Sequence, residues 1–89
     1  MTREQHAVLH ALFALARADR YATVLRVVRF VSDLGLPMTK QDVEGTLRAL
    51  DAAGLVDASR VRLSMQGFAI ASVLGRPAVR QRRAVPTAA

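Results

Sequence analysis

Apolar positions recur at intervals of three and four through most of the chain. The interval changes to two only between Leu55 and Ser64. A period near 3.6 marks a helix with a buried face, and alternation marks a strand, so the pattern predicts a mainly α protein with a small β-hairpin. Thr2 and Gln5 have the spacing of a capping box, which starts the first helix. Val8, Leu9, Leu12, Phe13, Leu15 and Ala16 then cover two adjoining faces, wider than one stripe. One face is expected to enter the core and the other to meet a partner. The pattern stops near Ala18 at a polar joint, Asp19 and Arg20, after which Tyr21 and Ala22 are expected to form a very short strand.

Thr23 is placed to cap a second helix in which Val24, Val27, Val28, Val31 and Leu34 share a face. Its many valines make a strand the competing reading, and the spacing over eleven residues favours helix. Gly35 and Pro37 interrupt it. Thr39 with Asp42 again has cap spacing, Val43, Leu47 and Leu50 form the buried stripe of a third helix, and Gly54 ends it. Leu55, Val56, Val61 and Leu63 mark a tight hairpin turning near Ala58 and Ser59, with Arg60, Arg62 and Ser64 facing away from Val61 and Leu63. Helical period returns from Gln66 to Leu74 and closes at Gly75. Residues 1–75 therefore read as one domain, and 76–89 as a basic tail with two prolines and no sustained period.

Composition narrows the chemistry. With 89 residues one core is expected, small enough that an oligomer interface would add to its stability. Cysteine is absent, which removes disulfides, thiolate metal sites and a cysteine nucleophile. The longest apolar stretch, residues 7–16, is about half of the roughly 20 residues a membrane span needs. No secretory signal pattern is present, so a cytoplasmic location is expected. Twelve of the 13 basic residues are arginine and alanine is abundant, which suggests a bacterial genome rich in G and C.

The net charge of +6 resembles a nucleic-acid footprint until it is divided along the chain. Arg76, Arg80, Arg82 and Arg83 lie in the tail, leaving nine basic against seven acidic residues in the domain. His6 and His10 stand four apart, but Ala7 occupies the place where zinc proteases carry Glu, and no third ligand is near. Surface histidines are the better reading. Without a nucleophile triad, a glycine-rich phosphate loop or paired carboxylates, the expectation is no enzyme, no cofactor and no metal.

The order helix, helix, turn, helix, hairpin, helix resembles the winged helix-turn-helix domain of bacterial MarR-like and PadR-like transcription regulators. The likeness is carried by "LRALDAAGLV" at 47–56 and by "VRLSMQGFAIASVL" at 61–74, with its Leu-Ser step and the glycine three residues after that Ser. The resemblance implies a three-helix core, a short wing and a C-terminal helix, with double-stranded DNA as partner. The third helix would lie in the major groove and the wing on the backbone. Arg48 and Gln41 would then read base edges, at about 1 to 3 kcal/mol of discrimination each. Thr39 and Lys40 suit phosphates, as do Arg60 and Arg62 on the wing. For Arg48 and Gln41 an ordinary solvated helix face stands as an equal reading, and Arg26 and Arg29 read as solvated surface. "GRP" at 75–77 matches the centre of an AT-hook, but Leu74 replaces the basic residue that should precede it.

A homodimer is expected through the terminal helices, with Leu9, Leu12, Phe13, Ile70 and Leu74 at its interface. The alternative is a winged-helix module that binds protein, using the smooth surface around Gly45 and Ala52. Both readings leave an acidic puzzle. The third helix carries Asp42, Glu44 and Asp51 against only Lys40 and Arg48, an unusual balance for a surface meeting phosphate.

Overall fold

The computed structural model describes residues 1–77, so the tail assigned to 76–89 lies outside the described residues apart from Arg76 and Pro77. Four helices and one hairpin follow in the order α1 (Arg3–Arg17), α2 (Val24–Asp33), α3 (Lys40–Ala52), β1 (Val56–Asp57), β2 (Arg62–Leu63) and α4 (Met65–Leu74). Among the described residues no helix is long and apolar enough to cross a membrane.

Each helix starts on a hydroxyl cap. Thr2 with Gln5 and Thr39 with Asp42 form complete capping boxes, while Thr23 and Ser64 accept from the N–H groups of Arg26 and Gly67. Such caps satisfy donors that a helix start leaves free, at about 1 kcal/mol each. The ends of α1, α2 and α3 share one device. Residue Arg20, Leu36 or Leu55 donates back to Leu15, Val31 or Leu50 across a left-handed residue, the Schellman pattern. Gly35 and Gly54 fill two of the left-handed positions, but Asp19, at φ 58°, fills the third.

α1 is the hub. It packs against α2, α3, α4 and β2, and Ala7, Val8, Leu9, Ala11 and Leu12 are all buried on it. This corrects the expectation for its wide apolar surface. Leu9 and Leu12, assigned to a dimer interface, are 0% and 2% exposed within the single chain, because neighbouring elements cover both faces of α1. The α2 valines join this core as helix, with Val27 and Val31 at 0% exposure, and α3 contributes Val43, Leu47 and Leu50. A buried side chain of this size is worth about 1.5 to 3 kcal/mol.

The sheet has two antiparallel strands, with Val56 opposite Leu63 and Asp57 opposite Arg62. Tyr21 and Ala22 do not form the expected strand; they run as irregular chain, and the Tyr21 carbonyl accepts from Arg26 Nη1 at 2.8 Å. Residues 58–61 make the hairpin loop, closed by Val61 in the left-handed region at φ 52°. α4 then packs on α1 through edge-to-face rings of Phe13 and Phe68, 5.0 Å between centroids. Gly67 makes the close approach at its base, where a Cβ would overlap the Leu55 carbonyl.

Candidate nucleic-acid interface

α3 exposes Lys40, Gln41 and Arg48, with Ala49 and Ala52, while Glu44, Gly45 and Thr46 are half-buried. Two of its three acids have structural tasks. Asp42 Oδ2 accepts from the Thr39 N–H at 3.0 Å while the Thr39 hydroxyl accepts from the Asp42 N–H at 3.0 Å. Asp51 Oδ2 accepts from the Ala58 N–H at 2.8 Å, which fastens the hairpin loop to the last turn of α3. These carboxylates are spent on backbone donors. The ties explain why both acids stand on α3, and each keeps its negative charge there.

The same geometry places Thr39 at the N-cap of α3. Its hydroxyl oxygen accepts from the Asp42 N–H, the Asp42 carboxylate stands at the start of the helix, and Lys40 is exposed next to it. Gly45 is not a point of close approach within the chain. A Cβ placed on it would meet only Arg48 Nη2, at 3.9 Å. The absent side chain leaves the Arg48 guanidinium free to lie along the helix surface.

In the hairpin, Asp57 organises the turn. Its Oδ1 accepts from the Ser59 hydroxyl at 2.7 Å and from the Ser59 N–H at 3.2 Å, and its Oδ2 lies 3.8 Å from Arg60 Nε. The Ser59 hydroxyl, with the Arg60 and Ser59 N–H groups and the Arg60 charge, holds the Asp57 carboxyl below its ordinary value. Arg60 and Arg62 are both exposed beside this carboxylate. The ion pair is solvated and weak, so Arg60 remains available to a stronger anion.

A cleft of about 690 Å³ separates this hairpin from the joint between α1 and α2. Arg60 and Arg62 line one wall, Arg20 and Tyr21 the other, and Leu12, Val61 and Leu63 contribute apolar surface. In sequence Arg20 reads only as part of a polar joint with Asp19. The signal lay in its neighbour Asp19, an aspartate in the left-handed cap position just past the last apolar residue of α1, which turns the chain sharply towards the hairpin.

The remaining predicted residues scatter. Phe13 and Ile70 are half-buried and Leu74 is 42% exposed, so these three stay at or near the α4 surface that Leu9 and Leu12 do not reach. His6 Nε2 donates to the Gly75 carbonyl at 3.1 Å, and His10 packs edge-on against Phe30. Among the described residues no three of His, Cys, Asp and Glu gather into a cluster that would hold a metal ion. No protein-family model, no curated protein and no solved structure matches the chain.

Proposed function

We propose that this protein is a winged helix-turn-helix domain that binds double-stranded DNA as a small transcription regulator. α3 enters the major groove, where Gln41 and Arg48 meet base edges. Lys40, Arg60 and Arg62 meet phosphates. The observation that carries the reading is the Asp51 to Ala58 hydrogen bond, which sets the arginine-bearing hairpin beside the C-terminal turn of α3. Recognition by a helix and a wing requires such a fixed offset, since phosphate contacts position the helix that reads bases. No catalytic step or cofactor is part of this function.

Titration of labelled mixed-sequence duplexes by fluorescence anisotropy, at two salt concentrations, tests the proposal. Binding that weakens with salt is expected, and no binding at the lower salt overturns it.

A second reading, a protein-docking module, is favoured by α4. That helix carries no charge along its ten residues, and Met65 and Val73 are 92% and 85% exposed. Large apolar side chains this exposed on one helix mark a surface that a partner can cover. In the DNA-binding reading the same surface serves a homodimer, with Phe13, Ile70 and Leu74 at its margin.

A further inference from the structure

Two clefts share one residue, Arg20. The first lies between the hairpin and the joint; the second, about 530 Å³, lies along α2 and includes Arg26, Arg29 and Asp33. Arg20 lines both. Five arginines therefore line the two clefts, Arg60 and Arg62 in the first, Arg26 and Arg29 in the second, and Arg20 in both. The carboxylates beside them are Asp19, Asp33 and Asp57. Among the described residues, Arg60 alone of the five has a carboxylate within 4.0 Å.

At the junction Tyr21 is 87% exposed while its carbonyl is held by Arg26, so the backbone is fixed and the ring stays outside. Cations spread over two clefts that have Arg20 in common suit an extended polyanion better than a compact one. A nucleic-acid strand is such an extended polyanion, with a charge about every 3.4 Å along its axis. Grooves for single strands set successive aromatic rings under successive bases. Here Tyr21 is the one exposed ring in the row, and that favours a duplex.

We infer that Arg20 and Arg29, together with Arg62, hold the phosphate backbone of duplex DNA beyond the part met by α3, with Tyr21 against the sugar edge. This rests on the DNA-binding reading. It places on the DNA Arg29, which the sequence reads as solvated surface, and Arg20, which it reads as part of a polar joint.

The test measures duplex affinity against salt for the full chain and for Arg20→Ala, Arg29→Ala and their double variant, with circular dichroism to confirm the fold. Both side chains are exposed, so the variants should fold. Each substitution should weaken all duplex sequences alike and reduce the slope of log affinity against log salt by about one, the double by about two. Arg48→Ala should instead reduce sequence preference.

If the unsubstituted protein binds duplex and the double variant keeps its affinity and slope, the inference fails and the DNA-binding reading stands. If the unsubstituted protein binds no duplex at low salt, both fall. Tighter binding to single strands that Tyr21→Ala abolishes overturns the assignment to duplex.

Discussion

Asp51 Oδ2 and the Ala58 N–H, 2.8 Å apart, join the last turn of α3 to the loop of the hairpin. An acid near a helix C-terminus works against the helix dipole, so its position there is explained by the donor it holds and not by the helix. Asp51→Ala should cost about 0.5 to 1.5 kcal/mol in urea denaturation. It should also speed hydrogen exchange at the Ala58 amide. Unchanged exchange at that amide would show that the tie does not form in solution.

Two glycines should respond in opposite directions. Gly67→Ala drives a methyl into the Leu55 backbone carbonyl and should cost about 1 to 3 kcal/mol or more, because backbone has to move. Gly45→Ala places its methyl in ordinary contact with the end of the Arg48 side chain and should stabilise the protein by about 0.5 to 1 kcal/mol. Thermal melts of both variants decide this. If Gly45→Ala melts higher yet loses DNA binding, the bare surface at Gly45 is there for a partner's close approach.

The left-handed Asp19 offers a stabilising change. Aspartate tolerates this conformation better than most residues but still pays for its Cβ. Asp19→Gly should therefore raise stability by up to about 1 kcal/mol. A lower melting temperature would show that the side chain makes a contact worth more than the strain.

Acid should weaken the fold through His10. Burial, then the charges of Arg76 and His6, lowers the His10 pKa, and its Nδ1 is buried with no partner among the described residues. The unfolded chain therefore takes up the proton first as pH falls. Stability is full above the ordinary histidine value and is lost as pH drops from about 6.5 towards the folded pKa. His10→Phe, which keeps a ring against Phe30, should flatten stability between pH 7.5 and 5.5. An unaltered pH profile would assign the acid sensitivity to other groups.

Self-association should depend on α4 and not on the predicted leucines of α1. Val73→Asp should leave the monomer's melt almost unchanged and reduce the dimer fraction in light scattering at micromolar concentration. Leu9→Ala should instead cost about 2 to 5 kcal/mol of stability by leaving a cavity in the core. A dimer that survives Val73→Asp would exclude this face.

The helices were legible because their signals are local. Thr2 with Gln5 and Thr39 with Asp42 form the boxes that their spacing predicts, and Val27, Val31, Val43, Leu47 and Leu50 are buried as their period requires. Gly35 and Gly54 take the left-handed turns that end two helices. Caps, turns and periods arise within a few residues of chain, so one sequence displays them.

Other features depend on what packs against what. Period alone could not show that both faces of α1 would be covered by α2, α3 and α4, which removed Leu9 and Leu12 from any interface. Nor could it show that Tyr21 and Ala22 would stay unpaired, since a strand needs hydrogen bonds from another segment. The acids of α3 make the same point. In sequence Asp42 and Asp51 count equally as negative charge, yet capping spacing assigned the first and only the folded hairpin assigned the second.

Four helices, a short hairpin and most of the core follow from local signals in the chain, because period and capping are properties of neighbouring residues. Which apolar face stays open and which arginines share a cleft follow from packing alone, because burial and charge proximity are set by segments far apart in the chain. Arg20 and Arg62 are 42 positions apart in sequence and face one cleft.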